Sequence, residues 1–293
     1  MPGNDWMGPV DDGTSITHMA IPGTHDTGAY NPGDWAEWRR PMTFAQLLDI
    51  PGQLNAGVRA LDLRCGSNYY GQSFSLYHGP FQLPDYVPDV IAAVDNFLTN
   101  NPSEFVILML KIEPPGSSDW STQLNTIIND GLGRKIYRRL NRETYWPDLR
   151  EVRGKALILS RFPNPHQFHF DTRSWGNNVT DQEITVTSAI QGYPAQLSVH
   201  IQDLFNKPNL ATKIQAIKVA VATAGRARAT GQRDKLYLNF TSYVVNFRQP
   251  RDVGIEAVPY LRNQVARFYP LFGVVCVDAA DANLASLIYN ANL

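Results

Sequence analysis

Cysteine networks and long apolar segments, which organise many proteins, are nearly absent from this chain. It has only two cysteines, Cys65 and Cys276, in 293 residues, and no C-x-x-C spacing. Two cysteines are too few for a disulfide framework in a chain of this length, so we expect both thiols to be free and buried. No run of about 18 apolar residues occurs, and we therefore expect no membrane-spanning helix.

An excess of charge of either sign is also missing. The chain carries 26 Lys and Arg residues against 27 Asp and Glu residues. This balance provides no global field that would attract nucleic acid, so we expect no nucleic-acid partner. Affinity for an anionic substrate must come from a local cluster instead. The first residues do not resemble a signal peptide, so the protein is either cytoplasmic or secreted after removal of a leader.

Short β-rich runs recur along the chain, with helical patterns or long loops between them. Several runs are continuously apolar, which is typical of a parallel sheet buried on both faces. The pattern predicts an α/β fold, an irregular TIM (β/α)8 barrel that forms a single domain over residues 1–293. A doubly wound open sheet is the structural alternative. The predicted strands span residues 16–21, 57–63, 74–78, 105–110, 155–160, 197–202, 235–240 and 272–277.

Ionisable side chains follow seven of the eight predicted strands. Because chemistry in such a barrel takes place at the C-terminal ends of the strands, we expect these side chains to meet. Histidine pairs suit proton transfer near neutral pH, and arginine forks bind phosphate oxygens, so the set predicts phosphoryl transfer without an obligatory metal. The strand ends carry His25, Asp26, Asp62, Arg64, His78, Lys111, Glu113, Arg161, Asp203 and Asp278.

The same segments resemble, in order, the motifs of bacterial-type phosphatidylinositol-specific phospholipases C. The opening motif is IPGTHDTG at residues 21–28, followed by GVRALDLR at 57–64 and HGP at 78–80. Further matches are NPSE at 101–104 with the lysine at 111, RF at 161–162, QD at 202–203, LNFTS at 238–242 and the aspartate at 278. The resemblance therefore covers nearly the whole chain.

This resemblance implies a catalytic role for five residues. His25 would be the general base that takes the proton from the inositol 2-hydroxyl, and Asp278 would orient it. His78 would be the general acid, with Asp26 as its partner. Arg64 would bind the phosphate, and its charge would stabilise the pentacoordinate transition state. Calcium-dependent relatives hold a metal where this arginine acts, so the resemblance implies no metal and no cofactor. The products would be diacylglycerol and inositol 1,2-cyclic phosphate.

The resemblance also implies a binding site for the inositol ring. Lys111, Arg161 and Asp203 match residues that hydrogen-bond the ring hydroxyls, which need paired polar groups when they are buried. Phe205 stands where members of the family often carry a tyrosine stacked on the ring. Phenylalanine keeps the apolar face of that side chain and loses its hydroxyl.

Three tryptophans lie in loops that follow predicted strands. Trp35 and Trp38 follow the first strand, and Trp175 lies in the long segment after the fifth. Because indole rings favour the membrane–water boundary, we expect these residues to contact membranes that contain phosphatidylinositol. The contact would be peripheral and the protein a monomer. Packing of the rings beneath their own loops is the alternative.

Two other functions stay open. One is a metal-dependent hydrolase similar to the glycerophosphodiester phosphodiesterases, which hold a metal with several carboxylates. Asp62 could serve as a ligand, but Arg64 and the absence of a clustered carboxylate set disfavour this function. The other is a barrel that binds phosphoinositides without catalysis, and the presence of both His25 and His78 argues against it.

Overall fold

A computed structural model describes most of the chain. The described residues are 3–31, 43–67, 73–113, 120–139, 144–163, 165–166, 168–188, 197–206, 209–244, 259 and 270–293. Eleven strands lie in these residues. They are β1 (Ala20–Thr24), β2 (Ala60–Ser67), β3 (Phe74–His78), β4 (Phe81–Tyr86), β5 (Val106–Ile112), β6 (Ala156–Arg161), β7 (Phe170–Asp171), β8 (Gln182–Ser188), β9 (Leu197–Gln202), β10 (Lys235–Phe240) and β11 (Gly273–Val277).

The strands form one sheet that closes into a barrel. Their order is β1-β11-β10-β9-β8-β7-β6-β5-β2-β3-β4, and β1 also pairs with β2. This last pairing joins two distant positions of the sheet, so that nine of the described strands form a ring and β3 and β4 extend from β2. The predicted irregular α/β barrel is therefore confirmed, and the open sheet is wrong.

Two parts of the sheet differ from the prediction. The third predicted strand, β3, runs antiparallel to β2 and to β4, because the short link after β2 has no room for a crossover helix. The long segment after β6 contains β7 and β8, and β8 runs antiparallel to both of its neighbours. These two strands fill the ring between β6 and β9.

The first strand lies later in the sequence than predicted. Residues Ile16–His18 form a 3₁₀ turn, and β1 begins at Ala20. The strand includes Pro22 and Gly23, which have low strand propensity, but Pro22 pairs with Val275 and Gly23 with Cys276. Tertiary pairing therefore outweighs local propensity here, and it carries β1 up to the residue before His25.

Six α-helices lie in the described residues, mostly between the parallel strands. They are α1 (Ile50–Ala56), α2 (Val87–Asn100), α3 (Trp120–Leu132), α4 (Leu149–Val152), α5 (Leu210–Ala229) and α6 (Ala282–Tyr289). The buried face of α2, with Val90, Ile91 and Val94, packs into the same apolar cluster as the apolar side chains of β2 and β5. In the part of the chain that the structure describes, no helix is both long enough and apolar enough to cross a bilayer.

Helix α1 has a start and an end that fix the entry into β2. Asp49 caps its first turn by accepting a hydrogen bond from the Gly52 amide at 2.8 Å. The helix ends at Gly57, whose φ of 114° lies in the left-handed region. A Cβ at this position would stand 2.8 Å from the ring of Tyr289, so only glycine fits.

A buried ion pair lies at the N-terminal ends of the strands, opposite the predicted site. Arg59 precedes β2 and Glu104 precedes β5, and their side chains meet at 2.7 Å with no exposure to solvent. Glu104 also accepts a hydrogen bond from the Met7 amide, and Arg59 donates to the Leu54 carbonyl. These bonds satisfy both charges and tie the N-terminal segment across this end of the barrel.

Both cysteines are free and buried, as predicted from their number. Cys65 lies on β2 and Cys276 on β11, and each is fully buried among apolar side chains. Burial raises the pKa of both thiols well above the ordinary value, so neither is a nucleophile at neutral pH.

Candidate active site

A cavity of about 230 Å³ opens at the C-terminal ends of the parallel strands. It brings together side chains from β1, β2, β3, β5 and β6 and from the loops that follow β9 and β10. Seven of its lining residues belong to the predicted site, namely His25, Arg64, His78, Lys111, Arg161, Asp203 and Phe205. The strand ends thus meet as the sequence predicts.

His25 and Asp278 form a buried dyad between β1 and β11. The two strands pair in parallel up to Thr24 and Val277, so the residue that follows each strand leaves the sheet at the same edge. His25 Nδ1 lies 2.9 Å from Asp278 Oδ1. Burial lowers the pKa of His25, but the charge and hydrogen bond of Asp278 outweigh it and leave the pKa raised.

His78 stands across the cavity with two acceptors. Its Nδ1 lies 3.2 Å from the carbonyl oxygen of Thr43, and its Nε2 lies 3.3 Å from Asp26 Oδ2. Both ring nitrogens therefore face atoms that can only accept a hydrogen bond. The contact with Thr43 is at hydrogen-bond distance, whereas the contact with Asp26 is an ion-pair distance without a hydrogen bond to Oδ2.

Arg64 connects the two histidine sites. One terminal nitrogen, Nη1, contacts Asp26 at 3.1 Å, and the other, Nη2, lies 3.4 Å from Asp62. Nη2 also lies 2.8 Å from His25 Nε2, so that His25 receives a hydrogen bond there. Burial lowers the pKa of Arg64, but Asp26 and Asp62 raise it further, and the guanidinium stays charged.

The two histidines differ in the kind of atom that faces each ring nitrogen. His25 has an acceptor, Asp278, on Nδ1 and a donor, Arg64, on Nε2, a pattern that fits a neutral imidazole whose Nε2 lone pair accepts the Arg64 hydrogen bond. His78 has acceptors on both nitrogens, a pattern that fits a proton donor. This difference agrees with the roles expected for the two residues, His25 as the base and His78 as the acid, and these roles stay a prediction.

Asp26 adopts a strained backbone conformation and has contacts through both its amide and its carboxylate. Its φ of 46° places a non-glycine residue in the left-handed region, and its amide donates to Asp62 Oδ2 at 3.0 Å. This turn directs the Asp26 carboxylate back toward Arg64 and His78. Burial raises the pKa of Asp62, but Arg64 and His25 outweigh it, and the pKa of Asp62 is lowered. In the structure Asp62 contacts Arg64 and the Asp26 backbone.

A second group of charges faces the cavity from β5, β6 and the end of β9. Lys111 Nζ lies 2.6 Å from Glu113. Asp203 stands close enough to Arg161 for its negative charge to act on the pKa of the guanidinium. Burial lowers the pKa of Arg161, opposed by Asp62 and Asp203. These side chains offer both donors and acceptors to a ligand rich in hydroxyl groups.

The aromatic predictions have mixed outcomes. Phe205 lines the cavity, and its amide donates to Asn178 Oδ1 at 2.9 Å. Trp175 is only 5% exposed, and the guanidinium carbon of Arg161 lies 4.0 Å from its ring centroid. The membrane contact predicted for Trp175 is therefore wrong, because this ring supports Arg161 by a cation–π contact within the protein. Trp35 and Trp38 lie outside the described residues.

Sequence reasoning missed several residues that line the cavity. Ser242 is 3% exposed, and its hydroxyl has no hydrogen-bond partner among the described residues. The LNFTS motif places it just beyond β10, which was the available signal. Asn177, Tyr243 and Val244 also line the cavity, and no pattern in the sequence marks them.

The carboxylates and histidines of the described residues are not grouped as metal ligands. No group of three or more His, Cys, Asp or Glu side chains among them is arranged to hold a metal ion. The buried carboxylates beside the cavity, Asp26 and Asp62, both contact Arg64.

Comparison with known proteins agrees with this geometry. Residues 19–162 match the model of the phosphatidylinositol-specific phospholipase C X domain. The chain is 29% identical over 270 residues to the 1-phosphatidylinositol phosphodiesterase of Listeria monocytogenes, which covers 90% of this chain and 74% of that protein. It is 25% identical over 254 residues to the protein of the same name from Staphylococcus aureus, which covers 81% of this chain and 74% of that protein.

Solved structures extend the similarity to the whole fold. The phosphatidylinositol-specific phospholipase C of Listeria monocytogenes superposes with a TM-score of 0.77 at 25% identity, and the match covers 100% of both chains. A structure of the Staphylococcus aureus enzyme that contains pentafluoro-phenylalanine superposes with a TM-score of 0.83. At 19% identity, with 100% of this chain and 98% of that chain covered, the second match supports the fold alone. The resemblance carried by the motifs is confirmed.

The His25–Asp278 contact leads to a prediction about pH. Asp278→Asn removes the larger of the two charges that raise the pKa of His25, and leaves burial and Arg64, which lower it, opposed only by Asp26. We expect the pKa of His25 in the variant to fall below the wild-type value, as measured by NMR titration of the ring protons. Asp281→Asn is the control, because Asp281 caps α6 and makes no contact with His25. An unchanged or higher pKa in Asp278→Asn would contradict the dyad.

Proposed function

We propose that this chain, whose residues 19–162 match the phosphatidylinositol-specific phospholipase C X domain, cleaves phosphatidylinositol to diacylglycerol and inositol 1,2-cyclic phosphate. The observation that carries the proposal is the pair of histidines on one cavity, His25 with a donor and an acceptor and His78 with two acceptors, and Arg64 between them. This set can remove a proton from the attacking oxygen and supply a proton to the leaving oxygen of a single phosphorus atom.

The first half of the reaction takes place at His25. When the substrate phosphate binds Arg64, Nη2 turns to a phosphate oxygen and frees His25 Nε2. This nitrogen takes the proton from the inositol 2-hydroxyl, and the hydroxyl oxygen forms a bond to phosphorus. Asp278 stabilises the imidazolium that results. Its carboxylate, 1% exposed, is placed to do this without competition from water.

The second half takes place at His78. As the bond from phosphorus to the glycerol oxygen breaks, His78 Nε2 gives its proton to that oxygen, and diacylglycerol leaves. Asp26 holds His78 and Arg64 through the same oxygen, at 3.3 Å and 3.1 Å. The negative charge that builds on the phosphoryl oxygens is stabilised by Arg64, whose charge Asp26 and Asp62 fix in position.

The proposed inositol site consists of the second group of charges. Lys111, Arg161 and Asp203 surround the ring hydroxyls, and Phe205 offers an apolar face to the ring. Ser242 adds a hydroxyl without a partner among the described residues. Paired donors and acceptors of this kind favour a ring that carries hydroxyls, because a ligand without them leaves buried polar groups unsatisfied.

The proposed substrate, phosphatidylinositol, lies in a membrane. We therefore propose that the enzyme contacts the membrane peripherally through the rim of the cavity, where Val244 is 43% exposed. Contact through Trp35 and Trp38 stays a prediction. We also propose that the enzyme acts as a single-domain monomer over residues 1–293 and needs no metal, since Arg64 supplies the positive charge at phosphorus.

The two histidines provide the first test. His25→Ala and His78→Ala each remove one proton transfer, and we expect each to lower the release of soluble inositol phosphate from phosphatidylinositol vesicles by at least about 10². The control is His18→Ala at the opposite end of β1, where His18 contacts the Gln232 carbonyl. Near-normal release by His25→Ala or His78→Ala, with the fold intact by circular dichroism, would remove that residue from the mechanism.

The role of Arg64 provides the second test. We expect the wild-type enzyme to keep its activity in excess chelator and Arg64→Lys to lose most of it, because an ammonium cannot make the forked contact. Arg173→Lys is the control, since Arg173 pairs with Asp171 on the exposed surface. Loss of wild-type activity in chelator that calcium restores would favour the metal-dependent alternative.

A further inference from the structure

The side chain of Gln46 joins the ends of the two strands that carry the proposed base and its carboxylate. Its Nε2 donates to the His25 carbonyl at 2.6 Å and to the Val277 carbonyl at 2.9 Å. Its Oε1 accepts from the Ala280 amide at 3.2 Å. The residue is fully buried, so none of these three bonds competes with water.

These bonds lie where the backbone ladder between β1 and β11 stops. The last backbone bond runs from the His25 amide to the Val277 carbonyl at 3.1 Å. Beyond this bond each strand is followed by a residue with a left-handed backbone conformation, Asp26 with a φ of 46° and Ala279 with a φ of 52°. The Gln46 amide spans the gap and takes the place of the next pair of ladder bonds, so that it ties the His25 backbone to the residues that flank Asp278.

The segment around Gln46 also reaches the other histidine. The Thr43 carbonyl contacts His78 Nδ1 at 3.2 Å, and the Ala45 carbonyl accepts from the Ala279 amide at 2.8 Å. Gln46 itself is anchored through its backbone, whose amide donates to the Ala29 carbonyl at 3.0 Å. Residues 43–46 therefore contact the loops after β1 and β11 and the ring of His78.

We infer that Gln46 is a positioning residue for catalysis. It sets the distance between His25 and Asp278, and through that distance it controls the basicity of His25. This inference rests on the proposed function for its kinetic consequence, but its structural consequence can be measured without any turnover. Loss of the amide lets the two strand ends separate, which weakens the contact that raises the pKa of His25.

The test compares two buried glutamines. Gln46→Met keeps the volume and removes all three bonds. Gln53→Met is the matched control, because Gln53 is also fully buried and donates to two carbonyls, those of Thr27 and Leu48, but does not touch His25 or the residues beside Asp278. Both variants lose two hydrogen bonds to backbone carbonyls, and Gln46→Met also loses the bond from the Ala280 amide, so some loss of stability is expected in each.

Two readouts separate positioning from stability. In Gln46→Met we expect kcat for phosphatidylinositol to fall at least about tenfold with little change in KM, and the acid limb of the kcat profile to move to lower pH. We also expect a lower pKa of His25 by NMR and an upfield shift of the Nδ1 proton. Gln53→Met should keep the wild-type pKa of His25 and the wild-type acid limb. If Gln46→Met does not fold, Gln46→Asn, which keeps the amide one methylene shorter, gives the same comparison.

The outcomes distinguish this inference from the proposed function. A wild-type pKa of His25 in a folded Gln46 variant, or the same shift in Gln53→Met, would overturn the positioning role even if the wild-type enzyme is active. A wild-type protein without activity would overturn the proposed function, and the NMR comparison would still decide whether Gln46 positions His25.

Discussion

The charge of Arg64 is the constraint around which the site is arranged. Its guanidinium stands in a largely buried position at the mouth of the barrel, where an unpaired charge would be costly. Asp26 and Asp62 neutralise it, and each has a further task, since Asp26 contacts His78 and Asp62 accepts from the Asp26 amide. The same guanidinium donates to His25, so Arg64 lies between the two histidines to which we assign the proton transfers.

The barrel explains how residues so far apart in sequence reach Arg64. Parallel pairing of β1 with β11 and with β2 ends these three strands at the same edge. His25, Asp278 and Arg64 therefore meet although about 250 residues separate the first two. The opposite edge is closed by the buried pair of Arg59 and Glu104, which leaves the C-terminal edge for chemistry.

The sequence was sufficient for the parts of this arrangement that depend on pattern. Apolar runs marked the parallel strands, and the polar residue after each run marked the edge at which Arg64, Lys111 and Arg161 meet. It was insufficient where long-range geometry decides. The antiparallel direction of β3, the inserted strands β7 and β8 and the burial of Trp175 under Arg161 depend on which segments become neighbours. The sequence does not mark Gln46 for the same reason. Its partners are backbone atoms of residues 25, 277 and 280, and no side-chain pattern predicts such contacts.

In the proposed mechanism His25 activates the inositol 2-hydroxyl and Arg64 replaces a metal at phosphorus. Phosphorus NMR of the wild-type enzyme acting on phosphatidylinositol in excess chelator tests both roles in one experiment. We expect inositol 1,2-cyclic phosphate to appear as the first product at an undiminished rate. Acyclic inositol phosphate as the first product, or no product until calcium is added, would contradict it.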